Sequence, residues 1–459
     1  MSTLINHWLT KLRSSLWLIP SCMTIAAILL SLSVPYLDVE FSPKKRESLW
    51  WLSNMGPEGA MTLLATIAGS MITIAGVVFS ITIVALALAS SQFGPRLLGN
   101  FMRDRGNQLV LGTFVATFLY CLLVLRTIRI ESSGDSTPYW GTLFGLILAI
   151  CSLGVLIYFM HHIAVSIQAP NLIAAVYGEL EEVLTRLFPE HLGKEEENRP
   201  KNENIQKIMA RMEREGITIQ AEVGGYLQAI KDDSLIKFAT EQNLIVLLHF
   251  RPGHFIIKGA SLAKIVVEGQ IEATISQRIN KQLICGPNRT QEQDIEFSVL
   301  QLVEVAVRAL SPGINDPFTC IQCIDHLSAI LCQLAQRNFP SPYRYDSEGI
   351  LRVIAPPVTF EGVLNAAFHQ IRQHGKGNVA VIICLLEGLG RIGETVQRNE
   401  DREAIHRHVE MLQRGSRESI REKNDLEAVE DRCRQVLSLL SNGENRSVLL
   451  MDKMSKILP

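Results

Sequence analysis

Charge is what this sequence lacks over its longest stretches. From Gly59 to Pro95 it runs 37 residues without an Asp, Glu, Lys or Arg. A helix rises about 1.5 Å per residue, and a bilayer core of about 30 Å takes roughly 20 residues, so this stretch exceeds one span. The pattern predicts a helix that crosses the membrane, continues past it at its C-terminal end and stops at Gly94-Pro95. No charged residue lies inside any of the four apolar stretches of the first 168 residues. That argues against a proton relay or a carboxylate ion site at mid-membrane. Also missing are a phosphate-binding loop, a GxSxG elbow, an HExxH pair and a paired-carboxylate signature. No catalytic residue, cofactor or metal is therefore assigned. The net charge of −2 gives no case for a nucleic-acid partner. The nine cysteines are scattered, with Cys22, Cys121 and Cys151 inside apolar runs, so they form no disulfide framework. A reducing compartment for the polar part of the chain follows. No cleavable signal peptide is evident, and Leu16 to Leu37 reads as an anchor that stays.

What is present is a sharp split. Residues 1–168 read as a transmembrane domain with spans at about 15–37, 61–92, 107–125 and 140–165. Four spans put both termini on one side. Lys and Arg tie between the two sides, so they do not orient the chain. The large polar region with its free cysteines assigns the termini to the cytoplasm.

Within the long second span, Gly69 and Thr73 are four residues apart, as are Gly76 and Ser80. Small residues at that spacing let transmembrane helices approach closely. Two readings stay open for the hydroxyls, among them Ser70, Thr73 and Ser80. They line a water path between subunits, or they bond back to helix carbonyls. On the first reading Gln92 and Arg96 form the mouth of a pore, where an arginine ring favours anions.

The remainder is α+β. Residues 169–204 read as an amphipathic helix, with Leu180, Val183, Leu184 and Leu187 on one face, followed by a charged linker. Residues 205–275 read as a small β barrel or sandwich: strands around Gly224-Gly225, a short helix from Asp232 or Asp233, and further strands either side of an Arg-Pro-Gly turn. Arg251 and His254 flank that turn and could bind an anion or simply be exposed. Residues 276–459 read as mostly helical. There, two helices meet at SPGINDP, with Glu304 and Arg308 as a supporting pair and Asp316-Pro317 as the start of the second. The hinge could present Asn315 and Asp316 to a ligand. Cys320, Cys323 and His326 share that second helix without a matching pair downstream, so they read as a packed face. From Arg398 to Leu440 the chain is charged with periodic apolar residues, which suits solvent-facing helices or a partner surface.

The phrases SSQFGPRLL and SPGINDPFT carry a resemblance. Together with their flanks they resemble a bacterial family of predicted membrane proteins catalogued as a domain of unknown function. The resemblance covers most of the chain and implies a multi-pass protein of the bacterial inner membrane. It implies no activity and no site residues.

Three functions are compatible with these observations. The first is an oligomeric channel or pore with a cytoplasmic regulatory domain. The second is a membrane-anchored scaffold or sensor that binds a cytoplasmic partner. The third is an enzyme centred on Arg308 and Asp316, for which no spacing names a reaction.

Overall fold

A computed structural model describes residues 17–40, 56–94, 104–128, 139–188, 202–267 and 274–455. The chain divides into two compact units, Met1–Leu172 and Ile173–Pro459.

The first unit is built from four apolar helices: α1 (Leu18–Glu40), α2 (Pro57–Phe93), α3 (Arg105–Leu125) and α4 (Tyr139–Ser166). Helix α2 has Pro57 in its first turn and ends at Phe93, where Gly94 takes φ 114° and its N–H donates to Ser90 O at 3.1 Å. Only glycine adopts that φ freely, so the stop expected from Gly94-Pro95 is made by the glycine itself. At 37 residues α2 is about 55 Å long. Helix α3 starts at Asp104, whose carboxylate accepts from Gly106 N–H at 2.8 Å. Its 21 residues span about 31 Å, the thickness of one bilayer core.

The centre of this unit is α3. It packs against α1, α2 and α4, and half of its apolar window is buried, against about a fifth in each of the other three. Small residues allow this. A methyl on Gly112 would press on Met23 and Pro20 of α1, and one on Gly145 of α4 would press on Leu64 of α2. Buried hydroxyls add interhelical bonds: Tyr120 donates to Gly141 O at 3.1 Å, and Thr117 and Ser152 lie 3.2 Å apart.

The second unit opens with α5 (Ala169–Leu187) and α6 (Asn202–Glu215). Leu180, Val183 and Leu184 form the buried face of α5. Next come β1 (Ile217–Gln220), β2 (Gly225–Ile230), α7 (Asp232–Glu241), β3 (Leu244–Leu248), β4 (Phe255–Ile256), β5 (Ser261–Val267), α8 (Ile275–Asn280) and β6 (Leu283–Gly286). Six more helices and two strands follow: α9 (Ile295–Ala309), α10 (Pro317–Ala335), β7 (Tyr343–Tyr345), β8 (Leu351–Ile354), α11 (Phe360–His374), α12 (Val379–Thr395), α13 (Asn399–Ser419) and α14 (Lys423–Ser455).

The strands form two sheets, ordered β1-β5-β3-β8-β7 and β4-β2-β6. Among the described residues every pairing is antiparallel except β3 with β8, where Val246 faces Val353 and Leu247 faces Ile354. Leu244, Val246 and Leu248 alternate into the core of the larger sheet. Strands thus extend beyond residues 205–275 to Gly286 and to residues 343–354. The two strands around Gly224-Gly225 do not pair with each other. β1 joins β5, and β2 joins β4 and β6.

Among the described residues five helices are long and apolar enough to cross a membrane: α1 to α4 and α10. The first four coincide with the four expected spans. Helix α10 belongs to the second unit and packs on α9 and α12. Its Cys320, Cys323, Ile324, Leu327 and Leu334 are fully buried there, while Asp325 on the same helix bonds to Arg391 at 3.2 Å.

Candidate functional site in the membrane helices

Helix α2 has two faces. Leu64, Ile67, Ala68, Met71, Ala75, Val78 and Ala85 turn inward to the other helices. Gly69, Ser70, Thr73, Gly76 and Ser80 lie together on the opposite, uncovered face, with Thr62 and Thr66 two turns and one turn before them. Five hydroxyls on α2 bond to the helix's own backbone: Thr62 to Glu58 O, Thr66 to Thr62 O, Thr73 to Gly69 O, Thr82 to Val78 O and Ser91 to Leu88 O, at 2.7–2.8 Å. Their lone pairs remain available as acceptors. Among the described residues nothing approaches Gly69 or Gly76, since a methyl on either would meet no atom within 4 Å. These glycines are not spent on packing among the described residues, unlike Gly112 and Gly145. Gln92, in the last turn of α2, is exposed. Arg96 lies outside the described residues.

The end of the first unit where α3 begins is marked by a pair the sequence reading did not connect. His162 Nε2 of α4 sits 2.6 Å from Asp104 Oδ2 at the cap of α3. Tyr158 stacks on the same imidazole at 5.2 Å. A separation of 58 residues hides such a pair from local patterns. One turn further in, Asn107 and Gln108 are the first side chains of α3 turned into the unit, 7% and 3% exposed.

The candidates in the second unit fall into two places. Arg251 donates to Glu296 at 2.7 Å, beside Arg289, which holds Asp294 at 2.7 and 2.9 Å. Asp294 also caps α9 by accepting from Phe297 N–H at 3.1 Å. Burial and the cation of Arg251 push His254 below the usual imidazole range, with Glu296 opposing. This network ties the Arg-Pro-Gly turn to the start of α9, and each guanidinium there already has a carboxylate.

Arg308, Asn315 and Asp316 lie at the other end of α9, about 18 Å from Glu296 along the helix. Arg308 is 3.7 Å from Glu304, as the i,i+4 spacing predicted. Asn315 adopts φ 50°, a left-handed turn residue. Asp316 caps α10, accepting from Thr319 N–H at 3.2 Å and Thr319 Oγ1 at 2.6 Å. Arg251 and the hinge residues therefore share no site. Cys320 and Cys323 are fully buried, and His326 packs on Tyr177 at 4.7 Å.

Three apolar helices around a buried α3, followed by a mixed sheet and a helical region, can be compared with known families. The family model described as Predicted membrane protein (DUF2254) matches residues 13–391. The chain belongs to that family. The match to DUF2254 runs through both units and ends in α12, so α13 and α14 lie outside it. Among relatives of this DUF2254 chain, the uncharacterised protein MT1328 of Mycobacterium tuberculosis is 31% identical over 376 residues, 80% of this chain and 70% of that protein. The uncharacterised protein Mb1321c of Mycobacterium bovis matches with the same identity and coverage. No solved structure matches.

Proposed function

We propose that the protein is a homo-oligomeric channel or pore of the bacterial inner membrane, with the second unit as its cytoplasmic regulatory domain. Four spans, α1 to α4, leave both termini in the cytoplasm. The observation that supports this reading is the uncovered face of α2. A helix side that meets only lipid tails gains nothing from Gly69, Gly76 and a run of hydroxyls. The same residues suit the close approach of another α2 and the lining of a water path. Residues beyond Gln92, Arg96 among them, are expected at the cytoplasmic mouth.

The test is ion flux through the full chain in liposomes, with oligomeric state measured in parallel. Wild type is expected to conduct as an oligomer. Gly69→Leu with Gly76→Leu is expected to break the assembly and abolish flux, and Arg96→Glu to lower or reverse anion preference. A folded protein that is monomeric and silent under any voltage or osmotic load would overturn the reading.

The alternative is a membrane-anchored scaffold or sensor with a cytoplasmic protein partner. It is favoured by the tip of the α9–α10 hinge, where Ile314 is 46% and Phe318 77% exposed. A partner captured by wild type and lost with Phe318→Ser would support it.

A further inference from the structure

The smaller sheet, β4-β2-β6, ends in an edge at β4. Phe255 of β4 lies opposite Tyr226 of β2, and the two rings meet edge to face at 5.1 Å. Next to them, Leu227 N–H donates to His254 O at 2.9 Å. Bonded and unbonded pairs alternate along antiparallel strands, so Phe255 and Tyr226 exchange no bonds with each other. The N–H and C=O of Phe255 therefore point outward from β2. Among the described residues neither has a hydrogen-bond partner. An open N–H and C=O on a sheet edge are a template for another strand. Phe255 and Ile257 flank them, 56% and 67% exposed, and no Asp, Glu, Lys or Arg lies between Arg251 and Lys258.

The open groups select the occupant. Phe255 offers one donor and one acceptor on the same side. A strand related to it by a two-fold axis offers the same two in reverse order, so both are satisfied and neither is left over. Area points the same way. Two side chains cover far less than the roughly 800 Å² per partner of a standard interface, which is too little to hold a partner from solution. A second copy anchored in the same bilayer is presented at high effective concentration and needs no more.

We propose that β4 pairs with β4 of a second copy, antiparallel and centred on Phe255. The two Phe255 residues exchange both N–H···O bonds and lie side by side on one face. The three strands of each copy become one sheet of six. This interface belongs to the second unit, so it goes beyond the pore reading and holds whether or not the membrane helices conduct.

The experiment is disulfide trapping of the full chain, reconstituted in liposomes and exposed to a mild oxidant. In this register the two Cα atoms at position 255 are about 5.5 Å apart, within disulfide range, whereas those at 257 are roughly 13 Å apart along the strands. Phe255→Cys is expected to give a 255–255 linkage, identified by peptide mass spectrometry, at least about tenfold above the 257–257 linkage of Ile257→Cys. Wild type, with nine native cysteines, gives the background. No 255–255 linkage, or the equal trapping at both positions that random collision produces, would overturn the proposal. So would a disulfide from position 255 to a different protein when membranes of the expressing cells are oxidised. Hydrogen exchange needs no variant: the Phe255 amide of wild type is expected to slow as the protein-to-lipid ratio is raised, and an unchanged rate would count equally against the pairing. Ion flux without the 255–255 linkage removes the pairing and leaves the pore, and the linkage without flux does the reverse.

Discussion

Acid should loosen the helical part of the second unit through one residue, His408. It is 2% exposed on α13, its Nε2 is 2.8 Å from Asn365 Oδ1, and its ring stacks on His369 of α11 at 4.9 Å. Burial first, then His369, Arg372 and Arg407, push its pKa from 6.5 down to about 3. The unfolded chain takes up a proton below 6.5 while the folded chain does not. Stability is therefore full above pH 6.5 and is lost as pH falls toward 3. At about pH 4.5 two pH units separate the medium from the unfolded pKa, which makes the loss about 2.7 kcal/mol. His369 is pushed down by its own burial and by Arg372, and it adds in the same direction. Carboxylates elsewhere also respond to acid, so the test is a difference. His408→Gln keeps a donor for Asn365 and cannot titrate. Urea unfolding of the solubilised full chain, read by hydrogen exchange in residues 360–374 and 399–419, is expected to show wild type losing about 2–3 kcal/mol more than the variant between neutral pH and about pH 4.5. Equal losses would refute the argument that His408 is held neutral by its surroundings.

Three further outcomes are expected from melting curves of the same preparation. Gly388 of α12 faces Ser328 of α10 so closely that a methyl would overlap the hydroxyl. Gly388→Ala should cost about 1–2 kcal/mol despite its better helix propensity, and adding Ser328→Ala should restore wild-type stability or exceed it. Burial alone would raise the Asp346 carboxyl, but Arg352 at 2.7 Å and the N–H groups of Ile350 and Glu348 hold it below its usual range. Asp346→Ala strands Arg352, itself 5% exposed, and should cost about 3–5 kcal/mol, with Asp346→Ala/Arg352→Met recovering part of that. Asp316→Ala removes the cap of α10 and should cost about 1 kcal/mol, whereas Asp316→Asn should cost little. A loss below 0.3 kcal/mol, roughly the size of a surface substitution, would mean the cap is not holding that end.

Local order was legible wherever a few neighbouring residues decide it. The stop of α2 at Gly94, the cap and proline that start α10, the Glu304–Arg308 pair and the helix at Asp232 all follow from side chains within four residues. Partnership was not legible. Alternation in GITIQ and GYLQAI marks two strands, but no periodicity says that β1 turns to β5 while β2 turns to β6. The length of α2 drew attention to it, yet the most buried of the four helices is α3, whose glycine and hydroxyl contacts show only in space. Asn107 looked like the edge of a span. Its burial, to 7% exposure, shows only in the folded unit.

The parallel pairing of β3 with β8 has a consequence for biosynthesis. Its partners are separated by about a hundred residues, two long helices among them. At the usual pace of translation that is roughly 5–20 s during which one edge of β3 has no neighbour. An open, apolar Leu-Ile-Val-Leu-Leu edge is a template for pairing with other chains. Truncated or stalled chains ending before Leu351 should therefore aggregate, and chains that reach Ile354 should not. For this protein the hazardous interval in synthesis lies after its membrane helices have been made.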